Sequence, residues 1–324
     1  THKLIDSPRT EQARGFVTKI WNASRFVQMN LEGYEPGTPA AVTPEDAWML
    51  SRLARAVAHA TEQLETYAFG DYAREIQSFF WGDVCDWYIE LCKSRLLDGA
   101  PAERLQVQRN LVFVLDTCMR LLHPVMPFVT ESVWDALPAS GLDDHSAQFL
   151  MVAAWPEPER FAEFVNERAE KDFELAKRVI SCVRSTRARY RLSPRAELDV
   201  VVRCGAEDAA VLAGQEGFVR SVGHVGAFVA AADAQKPEGC VSVADGGLEI
   251  FVHVGDLVDL AAESARLKKE LAKAEKDLAG VERTLSNEGF VAKAAPAVIE
   301  KKRAQAAELT ATIEQLKAQI ADFA

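Results

Sequence analysis

The sequence contains no run of about 18 apolar residues, so it offers no helix able to span a bilayer. Its opening residues, THKLIDSPRT, lack the apolar stretch of a secretory leader, and a cytoplasmic protein with no membrane partner is the expectation. Paired cysteines are lacking as well. The six cysteines, Cys85, Cys92, Cys118, Cys182, Cys204 and Cys240, form no CxxC motif. Neither a disulfide framework nor a zinc site is expected from them, and their apolar surroundings predict reduced core residues. No two of the six histidines stand at metal-ligand spacing. The phosphate loop GxxxxGK[ST], a GxGxxG turn after a strand and a GxSxG elbow are all absent. Carboxylates are many, but none is paired in a dry apolar context suited to acid–base work. The chain is expected to hold no catalytic site, no metal and no cofactor of its own.

An excess of positive charge is also missing: 37 Lys and Arg face 48 Asp and Glu, for a net charge of −11. Placement matters more than the total, because placement creates the field. Residues 1–30 carry five basic and two acidic side chains, and residues 262–324 carry eleven and ten. The acidic mass lies between them, and both ends are able to meet a polyanion.

What is present is a long, helix-patterned, multidomain chain. Its 324 residues, 48% of them hydrophobic, exceed one ordinary core. Residues 1–137 read as a bundle of four or five helices, broken at EGYEPGTPAAVTPED, FGDY and LDGAPAE. Thr43 before Pro44, Glu45 and Asp46 predicts a capped helix start, and Thr130 is expected to cap a short helix after Pro124 and Pro127 stop the one before. Residues 138–160, rich in turn formers and proline, read as a linker. Residues 161–258 open with a helix and then alternate with period two at 197–204, 225–231, 240–244 and 248–254, which predicts a small α+β unit with a DGG hairpin turn. From 259 to 324 a heptad rhythm runs through Leu260, Ser264, Leu267, Leu271, Ala274, Leu278, Val281 and Leu285. It resumes through Ile299, Lys302, Ala306, Leu309, Ile313, Leu316, Ile320 and Phe323. Asn287, Gly289 and Pro296 interrupt it, so an antiparallel coiled-coil hairpin that projects from the rest is predicted. The fold class is therefore mainly α, with a helical bundle, a small α+β connecting domain and a C-terminal hairpin.

One aromatic stands off this plan. On a helical wheel Phe16, Ile20, Ala23, Ser24 and Val27 share the core stripe, while Phe26 falls on the far side with Lys19, Asn22 and Met29. A cation, an amide and a ring in that arrangement suit an unpaired RNA base and its phosphate. The competing reading is that Phe26 packs on a neighbouring helix. Ile89, beside Asp86 and Lys93, raises the same pair of readings. In the hairpin Arg266, Lys268, Lys269, Lys273, Lys276, Arg283, Lys293, Lys301, Lys302 and Arg303 are able to track a phosphate backbone, although interleaved acids also fit a solvated coiled-coil surface.

TKIWNASRFV, WGDVCDWYIELCK, LLHPVMPFVTESVW and AAWPEP, in that order, resemble the anticodon-binding helical domain of the valyl-tRNA synthetases, a family of class I aminoacyl-tRNA synthetases. VRSTRARYRLSPRAELDVVVR is similar to that family's connecting α+β unit, and LSNEGFVAKAAPAVIEKKRAQ to the tip and return helix of its coiled-coil arm. The family's HIGH-type and KMSKS-type motifs are missing, as is an editing domain. The resemblance thus implies the C-terminal portion of a synthetase, inactive alone. Its implied partners are valine-accepting tRNA and the catalytic and editing domains of a longer chain, as a monomer. The longer chain would use ATP with magnesium to attach valine. The resemblance implies anticodon contacts at Arg9, Lys19, Asn22, Arg25, Phe26, Asp86, Ile89 and Lys93. It implies backbone contacts on the arm at Arg266, Lys269, Lys273, Lys276, Arg283, Lys293, Lys301, Lys302 and Arg303. The alternatives are a scaffold protein whose hairpin binds a protein partner, and an anticodon domain for another aliphatic amino acid.

Overall fold

The computed structural model describes residues 8–141, 147–255, 257, 260–286 and 296–321. They divide into two compact units, residues 1–175 and 176–324.

The first unit is helical. It runs through α1 (Pro8–Met29), α2 (Pro44–Glu65), α3 (Phe69–Ser78), a π-helical segment (Phe79–Tyr88), α4 (Ile89–Asp98), α5 (Pro101–Leu122), α6 (Pro127–Asp135) and α7 (Pro158–Phe161). Thr43 caps α2 as its sequence predicts, accepting from the Asp46 amide at 3.3 Å with Pro44 at the first helical position. Thr130 does not cap. Pro127 opens α6, so Thr130 lies inside it, buried, and donates back to the Met126 carbonyl at 2.8 Å.

Segments α3, π and α4 follow one another without a break, so the stretch between the FGDY and LDGAPAE breaks is one helix that changes pitch midway. Its π character shows in the Ile89 amide, which donates to the Val84 carbonyl five residues back. Two apolar rows along it are buried. Phe80, Val84 and Trp87 face one side and Cys85, Ile89, Cys92 and Leu96 another, as suits a helix inside a bundle. Arg52 Nε ties the π segment to α2 by donating to Asp83 Oδ2 at 2.9 Å.

Behind it lies a buried ionic knot. Asp46 accepts from both Arg95 Nη atoms at 2.8 and 2.9 Å and from the Tyr88 hydroxyl at 2.7 Å, and its side chain is 0% exposed. Burial alone would raise the Asp46 carboxyl. The Arg95 and Tyr88 bonds outweigh it and hold the group below the usual carboxylate range. Asp116 anchors a second knot, accepting from Arg120, Trp134 and Ser140.

α8 (Glu167–Arg189) begins in this unit, where Phe173 stacks on Trp48 at 3.9 Å and meets Trp87 edge-on. The two units divide within α8, between 175 and 176, and these aromatics fasten the start of the helix to the bundle.

The second unit holds a four-stranded mixed sheet in the order β2-β1-β4-β3: β1 (Leu198–Arg203), β2 (Val225–Ala231), β3 (Cys240–Asp245) and β4 (Leu248–His253). β1 and β2 are parallel, so α9 (Ala206–Gly214) and α10 (Glu216–Gly223) form their crossover. The sequence pattern showed the strands but not these two short helices. β3 and β4 form the predicted hairpin, with Gly246 and Gly247 at φ of 50° and 91°, the left-handed region a tight turn needs. α11 (Leu260–Leu285) and α12 (Pro296–Ala321) pack together through Leu267, Ala274, Ile313 and Leu316, with Leu271, Leu278 and Ile320 at the margins. These are the heptad positions.

Candidate nucleic-acid interface

The core stripe of α1 is buried throughout, from Phe16 to Val27, with Ile20 fully enclosed. That orientation turns Lys19, Asn22 and Arg25 away from the core. Lys19 Nζ stands 2.6 Å from Asp86 Oδ1 and 5.4 Å from the centre of the Trp81 ring. Trp81 in turn stacks on Phe16 at 6.1 Å and an interplanar angle of 17°, and remains 36% exposed. Ammonium, carboxylate and indole therefore share one ledge between α1 and the π segment. The side chains of the ion pair are 31% and 43% exposed, so solvent screens it and it contributes at most about 1 kcal/mol. A phosphate or base edge can exchange with it at small cost.

Phe26 is half-buried, and its ring lies 5.7 Å from Lys93 Nζ. Lys93 is held by Glu90 at 2.7 Å. The two readings of Phe26 thus meet in one residue, part packing and part surface. Ile89 is buried, 6% exposed, and is a packing residue of the free protein. Asn22 and Arg25 are exposed and make no hydrogen bond or ion pair among the described residues. The Arg9 side chain lies outside the described residues. The fold thus brings Lys19 to Asp86 and Phe26 to Lys93, leaves Asn22 and Arg25 on the open face of α1, and sends Ile89 to the core.

Trp81 was not singled out by sequence reasoning. A signal existed: in Phe79–Phe80–Trp81 three adjacent rings cannot all face one core from a helix. A cleft of about 410 Å³ borders Trp81, lined also by Gln12, Arg74, Gln77, Ser78 and Gly82. It offers amide and guanidinium groups next to a flat ring. The nearby Cys85 thiol is no nucleophile, because burial pushes its pKa up to about 12.

The arm presents a different surface. With Leu267, Ala274 and Val281 buried, Arg266, Lys269, Lys273, Lys276 and Arg283 follow one another at spacings of three, four, three and seven, on the side away from the seam. All five are exposed, and Arg266 pairs with Glu270 at 2.5 Å. The acids Glu275 and Glu282 flank the stripe without interrupting it. Arg303 is exposed, and Lys302 is half-buried with Nζ 3.0 Å from Gln305 Oε1. Lys293 and the Lys301 side chain lie outside the described residues.

Among the described residues no group of three His, Cys, Asp or Glu is placed to hold a metal ion, and no helix is long and apolar enough to cross a membrane. Five of the six cysteines are buried and the sixth is half-buried.

Along the chain a helical bundle is followed by a mixed sheet and a helical hairpin with a cationic outer stripe, and two family matches give this arrangement its class, the tRNA-recognition portion of an aminoacyl-tRNA synthetase. Residues 46–202 match the family described as the anticodon-binding domain of tRNA ligase, and residues 259–324 match the valyl tRNA synthetase tRNA binding arm. The chain belongs to the valyl-tRNA synthetase family and corresponds to its C-terminal portion. It is 37% identical to a valine–tRNA ligase of Symbiobacterium thermophilum over 97% of this chain and 36% of the relative. It is 38% identical to one of Geobacter sulfurreducens over 92% of this chain and 33% of the relative, and 36% identical to one of Thermotoga maritima over 92% and 32%. The chain thus spans about a third of the length of the curated relatives it matches. These matches do not favour the scaffold alternative.

Proposed function

We propose that this chain recognises valine-accepting tRNA for a valine–tRNA ligase, reading the anticodon with the bundle and gripping the backbone with the arm. The observation that carries the anticodon half is the ledge of Lys19, Asp86 and Trp81 with Phe26 and Lys93 beside it. In this reading an anticodon base stacks against Trp81 or Phe26, and Lys19 leaves Asp86 for a phosphate or a base oxygen. Asp86, freed, accepts from a base amino group. Asn22, Arg25 and Arg9 supply rim contacts, and Ile89 backs the Phe26 side from within. Residues 1–137 act as the anticodon bundle, 138–160 as a linker, 161–258 as the connecting unit and 259–324 as the arm. On the arm Arg266, Lys269, Lys273, Lys276, Arg283, Lys293, Lys301, Lys302 and Arg303 hold phosphates without reading sequence.

The catalytic and editing domains of a longer, cytoplasmic and monomeric enzyme would perform the ATP- and magnesium-dependent attachment of valine. No side chain of this chain enters that chemistry. The test uses an isolated anticodon stem-loop, which the arm's outer stripe should not affect. Lys19→Ala and Phe26→Ala should each weaken its binding, while Lys276→Ala leaves it unchanged. Equal binding by all three would place the anticodon elsewhere.

A further inference from the structure

The second unit carries one cationic feature that neither the bundle ledge nor the arm uses. Residues 176–196, the end of α8 and the loop after it, hold seven Lys and Arg and no Asp or Glu, in a chain of net charge −11. Arg178 is matched by Asp245 at 2.8 Å. Arg184, Arg187 and Arg191 line a cleft of about 440 Å³ with Leu192, Val222 and His224, Arg184 Nη2 donating to the Val222 carbonyl at 3.4 Å, and no carboxylate lies among its lining residues.

Arg187 gives the cleft its built part. It is only 8% exposed, and it donates to the carbonyls of Ala196, Gly223 and His224 at 3.0 to 3.3 Å, while its Nε is buried without a partner. Burial first, and the neighbouring Arg184 second, pull its pKa below the ordinary guanidinium value. Carbonyl dipoles orient this charge but do not neutralise it. The exposed Arg184 and Arg191 add to it instead of cancelling it. A cation in the last turn of a helix is favoured by the helix dipole, which accounts for Arg187 or Arg189 alone. It does not account for three guanidinium groups lining one acid-free cleft. An anion with several acceptor oxygens would relieve the repulsion, and the planar forks of arginine fit phosphate oxygens.

We infer that this cleft is a third tRNA contact, in which Arg184 and Arg191 hold a backbone phosphate above the fixed charge of Arg187. The inference rests on the reading that the chain binds tRNA. The test is fluorescence-anisotropy binding of labelled valine tRNA at several salt concentrations, with matched and replaced anticodons. Arg184→Ala and Arg184→Glu alter an exposed side chain, and Arg191→Asn suits a backbone whose φ is 53°. Arg168→Ala, which removes one charge from the exposed pair with Asp172, is the control. Each cleft variant should weaken binding several-fold for both anticodons and reduce the salt slope by about 0.7 to 0.9 for the phosphate lost. The control should keep both values. Wild-type binding with unchanged affinity and slope in the folded cleft variants would overturn this inference alone. No tRNA binding by the wild type would overturn the underlying reading and this inference with it.

Discussion

The bundle ledge and the arm stripe both present cations, yet they rest on different foundations. Lys19 and Trp81 stand on a layered core with Phe16 directly beneath Trp81 and the Asp46–Arg95–Tyr88 knot in the same unit. Lys269, Lys276 and Arg283 stand on two helices whose seam buries little beyond Leu267, Ala274, Val281, Ile313 and Leu316. A deep core can hold a ring to the tolerance that base stacking needs. A two-helix seam holds charges in a row, which is enough for a phosphate backbone and too little for base reading. Specificity should therefore reside in the bundle and salt sensitivity in the arm.

The largest test of this contrast concerns its foundation. Asp46→Asn leaves Arg95 buried without its counter-charge and should cost the bundle about 3–5 kcal/mol, read by thermal or urea denaturation. Acid should act on the same group. Because the folded carboxyl of Asp46 lies below its unfolded value of about 3.9, its contribution is complete above that pH and is lost as pH falls through the lower folded value. Melting temperature should hold between pH 7 and 5 and drop below about pH 4, and Asp46→Asn should remove part of that drop. On the ledge, Phe26→Ala should cost roughly 1–3 kcal/mol in tRNA binding with the salt slope kept. On the arm, changing Lys269, Lys276 and Arg283 together to Ala should lower the salt slope by about 2 and leave anticodon preference intact. The smallest effect belongs to Glu275→Gln, whose exposed pair with Lys317 at 3.3 Å should change the stability of the arm by less than about 0.5 kcal/mol.

Much of this was legible in the sequence because it is periodic. The heptad positions of α11 and α12, the four strands and the Thr43 cap follow from local rules that tertiary packing here obeys. The π segment was not legible. Wheel arithmetic at 100° per residue assumes one pitch, and Phe79–Tyr88 departs from it inside the bundle, where Asp83 meets Arg52 of α2. α9 and α10 escaped because helices of nine and eight residues carry few turns of periodicity, and their existence follows from the parallel pairing of β1 with β2. Thr130 lies inside α6 instead of capping it because Pro127, besides stopping the helix before it, opens α6 at its first position. At the site, wheel geometry found Lys19 and Phe26 but not their partners. Asp86 is 67 residues from Lys19 in the chain, and only the packing of α1 on the π segment joins them.

The most direct measurement is the affinity of the chain for valine tRNA and for the same tRNA with its anticodon replaced, each across a range of salt. The account predicts tighter binding to the native anticodon, with a preference that persists as salt rises while both affinities fall together. Equal affinities at every salt concentration would contradict it, leaving the bundle ledge without a role in reading the anticodon.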